Sequence, residues 1–188
     1  MVFDVILIYL NYLHMKKNWG FAGLFLLLTG CCNSNNINSV TVSELDLNRY
    51  IGQWYEIARF DHSFERGLVG CTANYSFKDD GTIRVINAGY KKTLDGTYKE
   101  SEGKARRPND AEPGKLEVAF FANFYSDYYV LELDSAYTYA LVGSKCDKYL
   151  WILSRTPEMD SINLNFVLKR AEERGYDTKK LIWVEQTK

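Results

Sequence analysis

The stretch GQWYEIARFD, residues 52–61, is the first strand-like segment of this chain. Its aromatic and β-branched residues favour extended structure, and the run predicts a first β-strand over Gln53–Asp61. Just before it, Leu45, Leu47 and Tyr50 indicate a short helical turn. The fold to which this strand belongs depends on the segments that follow it.

Seven more segments of the same kind follow, with turn signals such as Asp79-Asp80-Gly81 and Leu94-Asp95-Gly96 between them. The intervals are too short for helices, so consecutive strands should pair in antiparallel order. Eight such strands predict an all-β fold, an eight-stranded antiparallel up-and-down barrel that has no exposed edge. The predicted segments are Cys71–Lys78, Thr82–Lys91, Thr97–Ala105, Lys115–Ala122, Asp127–Asp134, Tyr137–Gly143 and Tyr149–Arg155.

After Pro157 the periodicity changes from that of a strand to that of a helix. Asp160 or Ser161 can cap the start of this helix, and Gly175 follows its end. We expect the helix to pack on the outside of the barrel through one apolar stripe, with Leu181–Val184 as a short final strand. The stripe is expected to contain Ile162, Leu164, Phe166, Val167, Leu168 and Ala171.

The composition is that of one globular domain with a tail. The chain has 188 residues, of which 46% are hydrophobic and 25% are charged. Its formal net charge is −1, with acidic and basic residues interspersed. A protein that binds nucleic acid needs a basic face, so no nucleic-acid partner is expected.

The N-terminus contains two apolar runs, Val5–Leu13 and Trp19–Leu28, and neither reaches the roughly 20 residues that span a bilayer. Met15 followed by two lysines, an apolar run and small residues is typical of a secretory signal. We therefore expect residues 1–30 to be a signal region whose true start is Met15. The alternative, one signal anchor made of both runs, would place the two lysines near its centre, which is unfavourable.

Leu28-Thr29-Gly30-Cys31 resembles the bacterial lipobox, in which a signal peptidase cuts before the cysteine and the cysteine receives acyl chains. Cys31 would then be the lipid anchor, held in a membrane by roughly 0.8 kcal/mol per buried CH₂ group. Residues 31–42 would form a lipidated, flexible tether, and residues 43–188 the folded domain. Because Cys32 is not acidic, we expect attachment to the outer membrane, on its periplasmic face.

Three motifs occur in order along the domain. Gly52-Gln53-Trp54-Tyr55-Glu56 matches a G-x-W-Y motif on a first strand, and Ser126-Asp127-Tyr128 stands where Thr-Asp-Tyr is usual. The stretch from Tyr149 to Pro157, which contains Arg155, matches a last-strand motif. With these motifs the chain resembles the lipocalin family from Ser43 to Lys188. Within it, the chain is most similar to the bacterial outer-membrane lipocalin lipoproteins, relatives of apolipoprotein D and the plant temperature-induced lipocalins.

The resemblance implies a structural role for Gly52, Trp54 and Arg155 at the closed end of the barrel. A guanidinium over an indole ring is a favourable cation–π stack. Such a pair would also plug the barrel end, because the donors of Arg155 can reach loop carbonyl groups there. We therefore expect these residues to hold the fold and not to contact a ligand.

The barrel interior is left for function, since eight strands enclose room for side chains or one small ligand. Resemblance to apolipoprotein D implies that Tyr75, Asn87 and Trp151 face the pocket, and strand alternation extends the set. On the sixth strand Leu131 is placed inward because this leaves Glu132 outside. The expected ligand-binding residues are Tyr75, Asn87, Trp151, Tyr149, Phe120, Val118, Tyr129, Leu131, Tyr139, Ala58 and Phe60.

Such a lumen suits one long hydrophobic ligand with a polar head, such as a fatty acid or a lysophospholipid. In lipocalins the loop that joins the first two strands, here His62–Gly70, covers part of the open mouth. Arg66 in this loop could meet an anionic head group, or it could be a solvated surface residue. Neither a cofactor nor a metal ion is expected, and a homodimer is left open.

Other functions compete with the carrier. A lipid-modifying or thiol-dependent enzyme would need a base, and His62 is the single histidine of the expected mature chain. A haem or tetrapyrrole carrier and a barrel filled by its own side chains are further alternatives. Cys71 and Cys146 both fall at the open end, where they could form a disulfide, remain free thiols or supply a nucleophile.

Overall fold

The structure, a computed structural model, describes residues 37–186. The signal region, the lipidation site at Cys31 and the first part of the tether lie outside the described residues and stay predictions. Within the described part of the chain, no helix is long and apolar enough to cross a membrane.

The described chain folds into nine strands and two α-helices, and the predicted strand order is confirmed. The helices are α1 (Leu47–Tyr50) and α2 (Ser161–Glu173), with a short 3₁₀ turn at Thr178–Lys180. The strands are β1 (Gly52–Phe60), β2 (Leu68–Phe77), β3 (Ile83–Lys91), β4 (Tyr98–Arg106), β5 (Lys115–Ala119), β6 (Ser126–Leu133), β7 (Tyr139–Gly143), β8 (Leu150–Ser154) and β9 (Leu181–Trp183).

Strands β1 to β8 form a closed antiparallel barrel, as expected from the sequence. Each strand pairs with its neighbours in the chain, and β8 returns to β1. Strand β1 in turn pairs with β2, through Gly52–Tyr55 opposite residues 72–75, and closes the circle. The loop between β1 and β2, which we call the mouth loop (residues 61–67), therefore lies at the open end. Helix α1 precedes β1 at the opposite, closed end.

The second half of β1 has a different partner. Ala58, Arg59 and Phe60 pair with β9 and not with β2. The C-terminal segment then bridges the two strands, because the side-chain nitrogen of Gln186 donates to the carbonyl oxygens of Glu56 (2.6 Å) and Cys71 (3.0 Å). The barrel is thus sealed by residues from the end of the domain.

Helix α2 packs on the outside of the barrel. Asp160 caps its start by accepting hydrogen bonds from the backbone nitrogens of Ile162 (3.1 Å) and Asn163 (2.9 Å). Val167 and Ala171 are fully buried against the barrel wall. On this side of the barrel, apolar residues of β1, β7 and β8 pack against the helix.

Two residues of the expected apolar stripe are not part of the helix–barrel contact. Ile162 is 80% exposed and Phe166 is 48% exposed. Positions i, i+3, i+4 and i+7 share one face of a helix, and the buried face accordingly carries Leu164, Val167, Leu168 and Ala171. Ile162 and Phe166 lie four residues apart on another face.

The segment before α1 is fastened to the end of α2. The guanidinium of Arg174 donates to the carbonyl oxygens of Asn38 (3.1 Å), Val40 (2.7 Å) and Leu131 (2.7 Å), and it also pairs with Glu132. The amide of Asn38 donates in return to the carbonyl oxygen of Arg174 at 2.9 Å. One arginine thus joins the start of the described chain, the helix and β6.

Candidate ligand pocket

The closed end of the barrel is plugged by one arginine and one tryptophan. The guanidinium carbon of Arg155 lies 3.8 Å from the centre of the Trp54 ring. Arg155 also donates to the carbonyl oxygens of Gln53 (2.8 Å), Tyr50 (3.0 Å) and Ile51 (3.0 Å). The indole nitrogen of Trp54 donates to the Tyr50 carbonyl oxygen at 2.8 Å. This geometry matches the expected cation–π plug.

Gly52 is required by the same plug. Its φ of +95° lies in the region that side-chain-bearing residues rarely adopt, and a Cβ atom there would lie 3.3 Å from an Arg155 nitrogen. The residue therefore permits both the turn into β1 and the close approach of the guanidinium.

Above the plug the barrel encloses a cavity of about 80 Å³. Its walls are mostly aromatic and aliphatic, with a few polar groups turned inward. The lining residues are Glu56, Phe64, Glu65, Thr72, Ala73, Tyr75, Val85, Asn87, Val118, Phe120, Ser126, Asp127, Tyr128, Val142, Tyr149, Trp151 and Leu153.

Three tyrosine hydroxyls are linked at the inner end of the cavity. The Tyr128 oxygen lies 2.7 Å from that of Tyr50 and 2.9 Å from that of Tyr75. Burial is the largest cause that raises the pKa of all three hydroxyls above the usual value of tyrosine. They therefore remain neutral and can donate hydrogen bonds inside the apolar lumen.

Aromatic rings line the outer end of the cavity. The rings of Tyr149 and Trp151 are almost parallel, with centres 5.8 Å apart. The mouth loop faces them, and in it His62 stacks on Phe64 with ring centres 3.8 Å apart. The mouth loop thus lies across the entrance in the described state.

Buried charges stand below the mouth loop. Arg59 is 2% exposed and forms an ion pair with Glu56, which is 5% exposed. Burial, and then the nearby Glu65 carboxylate, raise the pKa of Glu56 well above its ordinary value. Burial lowers the pKa of Arg59, but Glu56 outweighs this effect and the resulting pKa is raised. Arg59 therefore remains a cation inside the barrel mouth.

Six of the sequence-predicted ligand residues line this cavity. The structure brings together Tyr75, Asn87, Val118, Phe120, Tyr149 and Trp151. The oxygen of the Asn87 side chain is buried and has no hydrogen-bond partner among the described residues, so it is available to a ligand. Contact of these side chains with a ligand stays a prediction.

The inward orientation expected for Ala58 and Phe60 is wrong. In the pairing of β1 with β8, Glu56 is opposite Leu153 but Ala58 is opposite Ile152, so Ile57 is an extra, bulged residue. The bulge reverses the alternation, and Ala58 and Phe60 pack on the outer face under α2. Arg59 is turned into the barrel in their place.

The orientation expected for Tyr129 and Leu131 is also wrong, and a second bulge explains Leu131. Val130 pairs with Val142, whereas Glu132 pairs with Leu141, so Leu131 has no partner in β7. Glu132 does point outward, as expected, but Leu131 points outward as well. Tyr129 likewise belongs to the outer cluster.

The inward orientation expected for Tyr139 on β7 is also wrong. Tyr139 and Leu141 pack in the outer cluster under α2, whereas Ala140 and Val142 belong to the inner core. The strand is apolar on both faces, because the barrel interior covers one and the helix covers the other. Alternation therefore carries little information about which face is inside.

Arg66 does not reach the pocket. It lies exposed in an ion pair with Asp61, at 2.9 Å. Its neighbour Glu65 is the residue that turns inward, together with the β1 residue Arg59. Sequence reasoning missed both, because a charged side chain on a barrel strand or loop is normally assigned to the surface.

The structure does not join the two described cysteines by a disulfide. Among the described residues, Cys71 and Cys146 carry buried free thiols. Burial raises the pKa of Cys71 to about 12, so its thiol is not activated as a nucleophile. Residues 37–186 contain no group of three or more side chains that could hold a metal ion.

A closed antiparallel barrel with an apolar cavity defines a class of small-molecule binding proteins. The chain matches a family model described as a lipocalin-like domain over residues 45–186. It is 46% identical to outer membrane lipoprotein Blc of Vibrio cholerae, over 86% of this chain and 94% of that protein. It is 38% identical to apolipoprotein D of Macaca fascicularis, over 75% of this chain and 77% of that one.

Solved structures also show a similar fold. Insecticyanin from the tobacco hornworm Manduca sexta is similar with a TM-score of 0.62 and 21% identity, over 79% of this chain and 84% of that one. The chain belongs to the lipocalin family. Its relatives named as outer membrane lipoproteins confirm the expected localisation as a lipid-anchored protein of the outer membrane.

Proposed function

We propose that the protein is a carrier that holds one long-chain amphiphile, a fatty acid or a lysophospholipid, in its barrel. The observation that supports this most directly is the interior cavity, whose wall is aromatic and aliphatic and whose polar groups are few. In such a pocket the apolar wall supplies affinity and the polar groups fix orientation. Membership of the lipocalin family supports a small hydrophobic ligand.

The carrier would be attached to the membrane through acyl chains on Cys31, at the periplasmic face of the outer membrane. A short attachment keeps the pocket close to its source of lipid and raises the effective lipid concentration. We infer a role in lipid storage, lipid transport or maintenance of the envelope. The relatives named as outer membrane lipoproteins support this location.

A lipid must widen the cavity to enter it. The free volume of about 80 Å³ is smaller than the ~300–1,000 Å³ typical of pockets for drug-sized ligands. Phe64 and Glu65 of the mouth loop contribute to the lining, so displacement of this loop would open the entrance. We infer that the described structure is the closed form of the carrier.

The test is native mass spectrometry of the purified full-length protein released from detergent, before and after addition of fatty acid or lysophospholipid. We expect a bound lipid in the unmodified protein and its loss in Trp151→Ala or Tyr75→Ala. Ile162→Ala, which changes an exposed residue of α2, should retain the lipid. Bare protein mass with no uptake of any added lipid would contradict the proposal.

A further inference from the structure

The mouth loop places a carboxylate inside the pocket. Glu65 is 7% exposed and lines the cavity. Its Oε2 atom accepts a hydrogen bond from the indole nitrogen of Trp151 at 3.2 Å and lies 3.0 Å from Nε2 of His62. A carboxylate is normally kept in water, so its position in an apolar pocket requires compensating partners.

The barrel wall supplies the indole donor, and Arg59 of the same wall holds the loop in place. Arg59 donates from one terminal nitrogen to the backbone carbonyl oxygens of Glu65 (2.8 Å) and Leu68 (3.3 Å), which fastens the loop to the barrel. Its Nε atom is buried and has no hydrogen-bond partner among the described residues. The Arg59 guanidinium, with one spare donor, and the Trp151 indole N–H group thus lie at the mouth of the pocket.

The chemistry of this cluster favours a negative charge. Burial alone would raise the pKa of Glu65, but hydrogen bonding and charge from His62, the Trp151 N–H group and Arg59 outweigh it, and the pKa is lowered. The pKa of the neighbouring Glu56 is raised instead, because burial and then the Glu65 carboxylate outweigh its hydrogen bond from Arg59. These shifts favour ionisation of Glu65 over ionisation of Glu56.

We propose that the Glu65 carboxylate occupies the head-group site of the pocket when no ligand is bound. The anionic head of an incoming amphiphile replaces this carboxylate when the mouth loop moves. This inference rests on the proposed carrier function. Arg59 and the Trp151 N–H group are the fixed part of the site, whereas Glu65 and His62 leave with the loop.

Charge balance supports an exchange of this kind. When an anionic head enters and Glu65 leaves, the number of negative charges beside Arg59 does not change. A neutral head would leave the buried Arg59 guanidinium, which also pairs with Glu56, with one nearby carboxylate fewer than in the free protein, and this is unfavourable in a poorly solvated place. The site should therefore prefer an anionic amphiphile to an uncharged one of the same length.

The test compares two ligands that share a chain, dodecanoate and dodecanol, at a pH where the acid is ionised. Both dissociation constants and their ratio are measured by titration calorimetry on the full chain. Glu65→Gln keeps the size of the side chain and removes its charge, so the ligand displaces a weaker competitor. We expect the dissociation constant of dodecanoate to decrease by about tenfold, the effect of one charge-assisted hydrogen bond. The ratio should not change, because residue 65 has left the site in both complexes.

A second variant acts in the opposite direction. Trp151→Phe keeps an aromatic ring and removes the N–H donor, so the preference for dodecanoate should decrease. Asp61→Asn is the matched control, because this carboxylate belongs to the same loop but pairs with Arg66 at the surface. Neither the dissociation constants nor their ratio should change in that variant.

The outcomes separate this inference from the carrier proposal. Unchanged or weaker binding of dodecanoate in Glu65→Gln would overturn the inference, since Glu65 would then not compete with the ligand and would only fasten the loop. A failure of every variant and the unmodified protein to bind either ligand would overturn the carrier proposal as well.

Discussion

Arg155 covers the indole ring of Trp54 at 3.8 Å and, from the same guanidinium, closes the loop around α1 with hydrogen bonds to backbone carbonyl oxygens. The two residues come from opposite ends of the barrel sequence, the first strand and the end of the last. Their contact therefore joins the ends of the closed sheet at one point. The stability of the barrel should depend on it more than on any exposed ion pair.

Arg155→Lys tests this dependence. Lysine keeps the charge but loses the planar stack and most of the hydrogen bonds, so we expect the free energy of unfolding to fall by about 2–4 kcal/mol. Urea denaturation measures the change. Arg84→Lys, in an exposed ion pair with Glu102, is the control and should unfold as the unmodified protein does. Equal effects of the two substitutions would show that the plug contributes no more to stability than an exposed ion pair does.

Leu131→Ala tests the β6 bulge. Because Leu131 is 1% exposed and packs under α2, its truncation should lower the free energy of unfolding by about 2–5 kcal/mol. The dissociation constant for a bound amphiphile should stay within about twofold, since the side chain does not reach the cavity. Val118→Ala, which changes a pocket-lining residue, should weaken binding. Weaker binding in Leu131→Ala, measured under conditions where the protein is fully folded, would contradict the outward orientation of Leu131.

Cys71 should make the protein less stable in alkali. Burial raises the pKa of its thiol to about 12 in the folded state, against about 8.5 in the unfolded chain. Between these values the unfolded chain releases a proton that the folded protein keeps, so stability falls by about 1.4 kcal/mol per pH unit. The dependence should be absent below about pH 8, where both states are protonated.

The measurement is the difference between the unfolding free energies of the unmodified protein and Cys71→Ala as a function of pH. Removal of the thiol costs packing at every pH, but only the slope reports its ionisation. We expect the two curves to converge as the pH rises from about 9 to 11. Parallel curves over this range would mean that the thiol titrates equally in both states.

Arg174→Gln tests the attachment of the segment before α1. The substitution leaves the carbonyl oxygens of Asn38, Val40 and Leu131 without their donor, and stability should fall by about 2–4 kcal/mol. Hydrogen exchange should accelerate at the amide of Asn38 before it does in the barrel strands. Lys169→Gln, on the exposed side of the same helix, should change neither quantity. Unchanged exchange at Asn38 in Arg174→Gln would show that the segment is held by other contacts.

The architecture could be predicted from local signals because the barrel is built almost entirely from neighbouring strands. Turn residues such as Asp80 and Gly81 separate segments that pair with the next segment along the chain. Asp160 caps the helix where the periodicity begins. None of these inferences requires contacts between distant parts of the sequence, and all of them agree with the structure.

The pocket could be predicted only in part, because its residues depend on strand register. Tyr75 lies in the part of β2 that pairs regularly with β3, beyond the irregularity between Val69 and Thr72, and Trp151 pairs regularly with β7; both face inward as expected. The bulges at Ile57 and Leu131 cannot be read from composition, and beyond each of them the inner and outer faces are exchanged. Arg59 enters the barrel for this reason, and with it the partner that holds Glu65.

Helix α2 has a mechanical consequence for the barrel. It braces the outer face around β1, β7 and β8, whereas β4 is mostly exposed and is joined to β5 by only three aligned residue pairs. We therefore expect the barrel wall to be more rigid on the side covered by α2 than at β4 and β5. If a ligand widens the cavity, the β4–β5 pairing should separate first, while the side under α2 keeps its shape.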